Sequence, residues 1–351
     1  MHSVLSRFAL SGAPISFERF GNGHINGTQL VVCEGGARYI LQKINTNVFR
    51  RPEALMRNIE LVTEHLRRKV SDPRGVLRLV FTRDGKSFAI ESGEYWRVYE
   101  LVEGSVCYES ATPELFYESA VAFGRFQNQL ADFPAERLAE TIPRFHDTPD
   151  RYAAFHRAVT DNAAGRASDV QREIDFVLAR EDFSHTLTDM QAAGELPLRV
   201  THNDTKINNV LFDEKTNKAL CVVDLDTVMP GLSVNDFGDA IRFGASTAAE
   251  DERDLSRVQF DLGLFETYVK GYLSTCGASL TKAEKAMLPT GAKMMTLECG
   301  MRFLADHLAG DVYFHVSRAG QNLDRARTQF CLLGQMETHW ARMHQLVELA
   351  F

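Results

Sequence analysis

The stretch Thr201–His202–Asn203–Asp204–Thr205–Lys206–Ile207–Asn208–Asn209 is followed by an apolar run that ends Val222–Val223–Asp224–Leu225–Asp226. Together they space an Asp, an Asn five residues later and a second Asp beyond an intervening strand. Phosphoryl transfer of the kinase type needs that set. One carboxylate orients and deprotonates the attacking hydroxyl, while an amide and a second carboxylate hold Mg²⁺ on a triphosphate. Asp204 is the candidate base, and Asn209 and Asp224 are the candidate metal ligands. Asn, Asp and Thr clusters also build turns and caps by bonding nearby backbone. The two Asp residues closing a strand rich in Leu, Val and Cys favour a site, since a carboxylate there is costly to bury unless paired or metal-bound.

Residues from about 14 to 103 must supply the other wall of such a site, and they read mainly as an antiparallel sheet. Ile15–Phe20, Thr28–Cys33 and Ala37–Ile44 are β-rich runs broken at Gly21-Asn22-Gly23 and Glu34-Gly35-Gly36. Leu55, Ile59, Val62 and Leu66 then form one helical stripe. Val76–Thr82, Phe88–Glu91 and Tyr95–Val102 follow as strands, separated by Asp84-Gly85 and Ser92-Gly93. After Gly104 the pattern becomes helical. Leu115, Phe116, Ala120, Phe123, Phe126 and Leu130 share a face, and further helices are read over 168–179, 255–273, 282–308 and 323–346. The segment 198–226 interrupts them. This is an α+β, bilobal arrangement with a small antiparallel-sheet lobe over 1–103 and a larger, mostly helical lobe over 104–351. Adenine fits the cleft between them, its polar edge against backbone around Glu100–Glu103, with Glu100 and Val102 as the binding positions.

The rest of the composition narrows the class. A chain of 351 residues with 44% apolar content can bury a sizeable core. A net charge of −8 and the lack of a long basic run argue against nucleic acid. Six scattered Cys without C-x-x-C spacing point to reduced, mostly buried thiols in a cytoplasmic protein. The first ten residues do not read as a signal peptide, and no apolar run is long enough to span a membrane. Eleven dispersed His give little support to zinc. A monomer without membrane partners is the expectation.

Gly21-Asn22-Gly23-His24-Ile25-Asn26 joins the first two strands, and Gly21 and Gly23 let backbone N–H groups approach phosphate oxygens. No helix follows it, which argues against a dinucleotide fingerprint, and no G-x4-G-K-[ST] sequence is present. At this point the chain resembles the aminoglycoside phosphotransferase and choline kinase-like family of small-molecule kinases, from about residue 14 to 345. More narrowly it resembles the bacterial N-acetylhexosamine 1-kinases. The stretches that carry the likeness are GNGHIN (21–26), RYILQ (38–42), MRNIELVT (56–63), THNDTKINN (201–209), VDLDTVMPG (223–231), DFGDAIRFGAS (236–246) and ECGMRFLAD (298–306). The resemblance implies ATP- and Mg²⁺-dependent transfer to the anomeric hydroxyl of N-acetylglucosamine or N-acetylgalactosamine. It also implies sugar contacts from His24, Arg302 and Tyr313.

One position departs from the broader kinase pattern. The strand Tyr39–Gln42 should end in a lysine that pairs with the α- and β-phosphates, but Gln42 stands there with Lys43 after it. Strand alternation turns Lys43 to the opposite face. Glu60, the usual partner of such a lysine, is left as a solvent-facing charge or a residue of doubtful role. Arg302 also fits a buried Arg paired with a structural carboxylate, and Tyr313 a core aromatic. Asp236 and Asp239 follow Asp224 by more than ten residues and are not read as metal ligands, and Asp236 reads as capping or tying the loop together. Competing readings are a metallohydrolase built on His202, Asp204 and Asp224, a nucleotide-binding pseudokinase, and a kinase for choline or aminoglycosides.

Overall fold

Alternation of apolar and polar residues from Pro14 onward builds one antiparallel sheet in the computed structural model, which describes residues 2–21, 26–110 and 112–350. A short helix α1 (His2–Leu5) precedes β1 (Pro14–Arg19), β2 (Gly27–Cys33) and β3 (Arg38–Lys43). Helix α2 (Pro52–Arg67) leads to β4 (Leu79–Val80), β5 (Ala89–Glu91) and β6 (Glu94–Glu100). The strand order is β1-β2-β3-β6-β4, with β5 also paired to β6. Ser92 and Gly93 both have positive φ (53° and 81°) and Glu91 faces Glu94, so β5 and β6 meet in the tight two-residue turn that a right-twisted hairpin favours.

Each face of this sheet has its own cover. Val4, Leu5 and Phe8 pack on Val31, Cys33, Tyr39, Leu41 and Val98. On the other face α2 buries Leu55, Ile59, Val62 and Leu66 in a core that also takes Phe126, Val200, Leu225 and Val228 from beyond residue 104. The amide of Asn58 on α2 donates to the carbonyls of Ala139 and Val228 at 2.8 and 3.0 Å. The strand expected over 76–82 is reduced to Leu79–Val80 and a single bridge from Phe8 to Thr82. The preceding segment instead holds a short 3-10 turn at Pro73–Gly75.

The larger lobe starts with β7 (Ser105–Cys107) and α3 (Pro113–Gln129), whose N-terminus is capped by Thr112 with Pro113 in the first turn. Then come α4 (Thr148–Asp161), α5 (Gln171–Leu178), α6 (Thr186–Ala192) and β8 (Arg199–Thr201). The hairpin β9 (Val210–Asp213) and β10 (Ala219–Val222) follows, then β11 (Met229–Gly231) and α7 (Ser233–Gly244). The remainder is α8 (Leu262–Cys276), α9 (Lys282–Ala286), α10 (Leu288–Ala309), α11 (Gln321–Thr338) and α12 (Trp340–Glu348).

Three sequence-based helix bounds change. Asp261, not the region of Leu255, caps α8, its side chain accepting from the Leu264 amide. The long stretch 282–308 breaks at Met287, where Pro289 begins a new helix, and 323–346 breaks at His339. Helices α1, α4, α6 and α7 were not anticipated. Close packing of α7 on α10 depends on glycine. A Cβ on Gly238 would stand 2.2 Å from the Gly291 carbonyl oxygen, and one on Gly291 would stand 2.1 Å from that of Val234. Among the described residues no helix is long and apolar enough to cross a membrane. Cys33, Cys221 and Cys276 are buried, Cys107 is exposed, and all six thiols are free.

Candidate active site

Two short ribbons bring the motif residues together. β8 pairs with β11, Thr201 facing Met229, and β9 pairs with β10 and β7. The loop 202–209 leaves β8 and the segment 223–228 leaves β10, so the two lie side by side. They are stitched at several points: Val223 N–H donates to the Asn209 carbonyl (2.9 Å), Thr227 Oγ1 to the His202 carbonyl (2.6 Å) and Asn203 Nδ2 to the Thr227 carbonyl (2.8 Å). His202 is sandwiched by Phe123 and Phe126, with Nε2 bonded to the Val223 carbonyl and Nδ1 near the Asp204 amide. Both ring nitrogens are spent on backbone. His202 is therefore a structural post, and the metallohydrolase reading loses its histidine.

Helix α7 anchors the same loop from below. The Asp236 carboxylate accepts the amides of His202 (2.8 Å) and Asn203 (2.7 Å), and Asp239 accepts that of Thr205 (2.9 Å). Gln127 of α3 joins Asp236 to the Val200 carbonyl. Asp236 is thus used in tying the loop, while Asp239 divides its oxygens between the Thr205 amide and Arg242 of its own helix.

Asp204 lies partly buried, with both oxygens engaged. Asn209 Nδ2 reaches Oδ2 at 2.9 Å and the Asp204 carbonyl at 2.8 Å, while Lys206 Nζ stands 3.0 Å from Oδ1. Burial works against the charge, but the Lys206 ammonium, His202 and the Asn209 amide outweigh it and hold the carboxyl below its usual range. With its amide nitrogen committed to Asp204, Asn209 keeps its oxygen for another partner.

Asp224 sits in the left-handed region at φ 57°, a conformation uncommon for a side-chain-bearing residue and often found where function holds the strain. The residue as a whole is exposed, though its carboxyl group is crowded by the surrounding protein, and among the described residues no hydrogen-bond donor or cation is bonded to it. Desolvation, then the charges of Asp226 and Asp204, push its carboxyl up to about 7. Such a group gains from a cation. Among the described residues no three His, Cys, Asp or Glu side chains are arranged to hold a metal. A Mg²⁺ that keeps water and phosphate oxygens in its shell needs only one or two protein groups, and the Asn209 oxygen with Asp224 fits that need.

Asp226, two residues on, is different. It is buried, pairs with Arg97 of β6 through Oδ1, and accepts from Asn26 Nδ2 through Oδ2 at 2.6 Å. Gln42 accepts from Arg97 Nε at 2.9 Å and donates to Thr28 Oγ1 at 3.0 Å. Lys43 turns to the other face and meets Glu94 at 3.0 Å. Among the described residues Glu60 pairs only with Arg57 of its own helix, at 3.3 Å. Neither residue forms a lysine–glutamate pair at the phosphate position.

At the hinge, the amides of Glu100 and Leu101 donate to the carbonyls of Arg78 and Arg38, and Ser105 Oγ bonds the Val102 carbonyl. The Val102 amide has no acceptor among the described residues. Gly21 has φ 69°, while Gly23 and His24 lie outside the described residues. Arg302 on α10 packs its guanidinium against the rings of Phe145, Phe314 and Tyr313 at 5.2, 5.5 and 5.9 Å. Its charge also reaches the buried Glu298 on the same helix, whose carboxylate is bonded to His146 and Thr148. Tyr313 is 58% exposed and no core aromatic.

Sequence reasoning passed over Lys206, Arg97 and Asn26. Lys206 was legible two residues after Asp204. Arg97 was marked only as a charge inside the apolar run Tyr95–Tyr99.

A match to the phosphotransferase enzyme family model extends over residues 16–272. The chain belongs to that family. Among solved structures, an aminoglycoside phosphotransferase from Alicyclobacillus acidocaldarius superposes with a TM-score of 0.63 at 14% identity, over 99% of this chain and 96% of its own. A microcompartment-associated aminopropanol kinase gives 0.61 at 18%, covering 97% and 96%. An amicoumacin kinase in complex with AMP-PNP, Ca²⁺ and Ami gives 0.59 at 16%, covering 92% and 88%. At these identities the likeness speaks for the fold. This phosphotransferase has the bilobal kinase-like architecture, with a sheet lobe over a helical lobe.

Proposed function

We propose that this chain is an ATP- and Mg²⁺-dependent kinase that phosphorylates the anomeric hydroxyl of N-acetylhexosamines. The observation that carries the kinase reading is that the loop of Asp204 and Asn209 runs beside the turn of Asp224, tied to it by the Val223 amide on the Asn209 carbonyl, with Asp204 and Asn209 hydrogen-bonded and the Asp224 carboxylate free among the described residues. Asp204, held ionised by Lys206, orients the acceptor hydroxyl and receives its proton as the bond to phosphorus forms. Its lowered basicity suits a loose transition state, in which the proton leaves late. Asn209 and Asp224 would hold Mg²⁺, which neutralises charge on the triphosphate when bound. The free Val102 amide suits an adenine edge, and the AMP-PNP complex of the amicoumacin kinase supports a nucleotide donor.

The sugar part of the proposal rests on the resemblance and on Arg302. Aromatic faces recognise quaternary ammonium groups well. Here three such faces are already occupied by the chain's own guanidinium. A choline or aminoglycoside cation placed there meets a like charge, whereas a neutral sugar can accept from the fork. Incubation of the pure protein with ATP, Mg²⁺ and a panel of hexosamines, hexoses, choline and aminoglycosides tests the proposal. Product formed with choline but not with N-acetylhexosamines would overturn the acceptor assignment.

A further inference from the structure

Thr28, Gln42 and Arg97 lie in one row across β2, β3 and β6, since Thr28 faces Gln42 and Gln42 faces Arg97 in the strand register. The row is hydrogen-bonded end to end, from Thr28 Oγ1 through the Gln42 amide to Arg97 Nε. Its far end is a guanidinium only 1% exposed, which pairs across the lobes with Asp226, itself 3% exposed. The ring of Tyr99 lies 5.3 Å from that guanidinium and the Met56 sulfur 4.0 Å from its Nη1. The second oxygen of Asp226 is taken by Asn26, whose own oxygen accepts the Asn45 amide at 3.0 Å. Both oxygens of Asp226 are thus held by the sheet lobe, while those of Asp224 are left bare.

Two carboxylates two residues apart at the end of one strand could both compete for a cation. A buried ion pair adds little net stability over an apolar substitute, but it can fix one register among alternatives. We propose that Gln42, Arg97 and Asp226 are positioning residues for the metal site: the sheet lobe withdraws Asp226 and thereby sets the left-handed turn that presents Asp224 alone to the nucleotide-bound metal. In this reading Gln42 is not a lysine lost from the phosphate site. Its neutral amide aligns Arg97, and a lysine there would set two cations side by side. The inference rests on the kinase reading of the cleft.

Calorimetric binding of AMP-PNP, with and without Mg²⁺, and thermal unfolding test it on the full chain. Arg97→Met alone leaves Asp226 charged without its buried partner, so the melting temperature should fall. Adding Asp226→Asn should recover most of that loss. The double variant should still bind AMP-PNP with Mg²⁺ at least about tenfold more weakly than the wild type, as loss of outer-shell support for a metal site does. Binding without Mg²⁺ should change by less than about threefold. Wild-type affinity with Mg²⁺ in a folded double variant would reduce the network to a structural tie and overturn the proposal. Should the double variant not fold, Gln42→Leu decides. It changes no charge and should weaken only the Mg²⁺-dependent binding, by about three- to tenfold, and an unchanged affinity overturns the proposal. If the wild-type protein binds no AMP-PNP at all, the kinase reading falls as well. Unaltered variants of a binding-competent wild type sink this inference alone.

Discussion

Lys206 Nζ stands 3.0 Å from Asp204 Oδ1, on the side of the carboxylate opposite the Asn209 amide. The carboxylate proposed as the base is therefore oriented by its own loop and held below its usual pKa range. Lys206→Met should remove the larger share of that support and let the Asp204 pKa rise. Below that pKa the base is protonated and idle, so the acidic limb of the kcat/KM profile should move to higher pH. A pH–rate profile that keeps the wild-type acidic limb would separate Lys206 from Asp204.

Asp204→Asn should leave AMP-PNP binding near normal while lowering kcat by about 10²–10⁴-fold, the usual worth of a general base. The amide keeps the shape but can accept from only one of Lys206 and Asn209, and it cannot take the proton. Retention of more than about a third of kcat would be far outside that range and would remove Asp204 from the reaction.

Asp224→Ala should abolish most turnover, with added Mg²⁺ restoring little, because the carboxylate left free in the cleft is the one removed. Asp226 was the first alternative on sequence grounds. Its carboxylate is closed off by Arg97 and Asn26. An Mg²⁺ titration of Asp224→Ala that overlays the wild-type curve would move the metal site elsewhere.

How much of this could be read before the structure follows from the range of the interactions. The sheet was legible because alternation and paired turn residues such as Ser92-Gly93 are local, and α2 because its stripe is regular. Asp204, Asn209 and Asp224 were legible because one loop and one hairpin bring them together. Helix α7 was hidden because its Asp-Phe-Gly-Asp was read as part of a loop, and its polar residues Asn235, Asp236, Asp239 and Arg242 are buried rather than solvent-facing. The Arg97–Asp226 pair spans 129 residues and depends on strand register, which residue types alone do not specify.

Gly238→Ala tests the packing that seats α7 under the catalytic loop. The new methyl would stand 2.2 Å from the Gly291 carbonyl oxygen, a backbone atom that moves only with its helix. Stability should fall by about 1–3 kcal/mol, as overpacking of a filled core does. Because Asp236 and Asp239 ride on α7, kcat should fall with it. Normal unfolding and normal kcat together would show that the two helices can separate without cost.

Glu284 ties the entry to the site, accepting from Arg199 on β8, Ser233 at the start of α7 and the Thr281 amide. Desolvation would raise its pKa, but Arg199, the Thr281 amide and Ser233 hold it below the usual range. For an acid with a depressed folded pKa, the stabilisation is full above the unfolded value of about 4.3 and is lost as pH falls through the lower folded value. Glu284→Gln should therefore unfold more easily at neutral pH yet show a shallower loss of stability below about pH 4.3. Parallel acid-denaturation curves for the two proteins would contradict this assignment.

The acceptor assignment is exposed to two independent tests. If the Arg302 fork binds a neutral sugar above the Phe145, Tyr313 and Phe314 rings, Arg302→Ala should raise the sugar KM far more than the ATP KM. The shift should correspond to about 1–3 kcal/mol, the range for a hydrogen bond to a charged donor. An equal rise in both constants would mean a distorted cleft and not a lost contact. Transfer to the anomeric oxygen also predicts that methyl glycosides of N-acetylglucosamine and N-acetylgalactosamine are inert, since the methyl group removes the nucleophilic hydroxyl. Turnover of either glycoside would place the phosphate on another hydroxyl. That result would end the 1-kinase reading while leaving Asp204, Asn209 and Asp224 in their proposed roles.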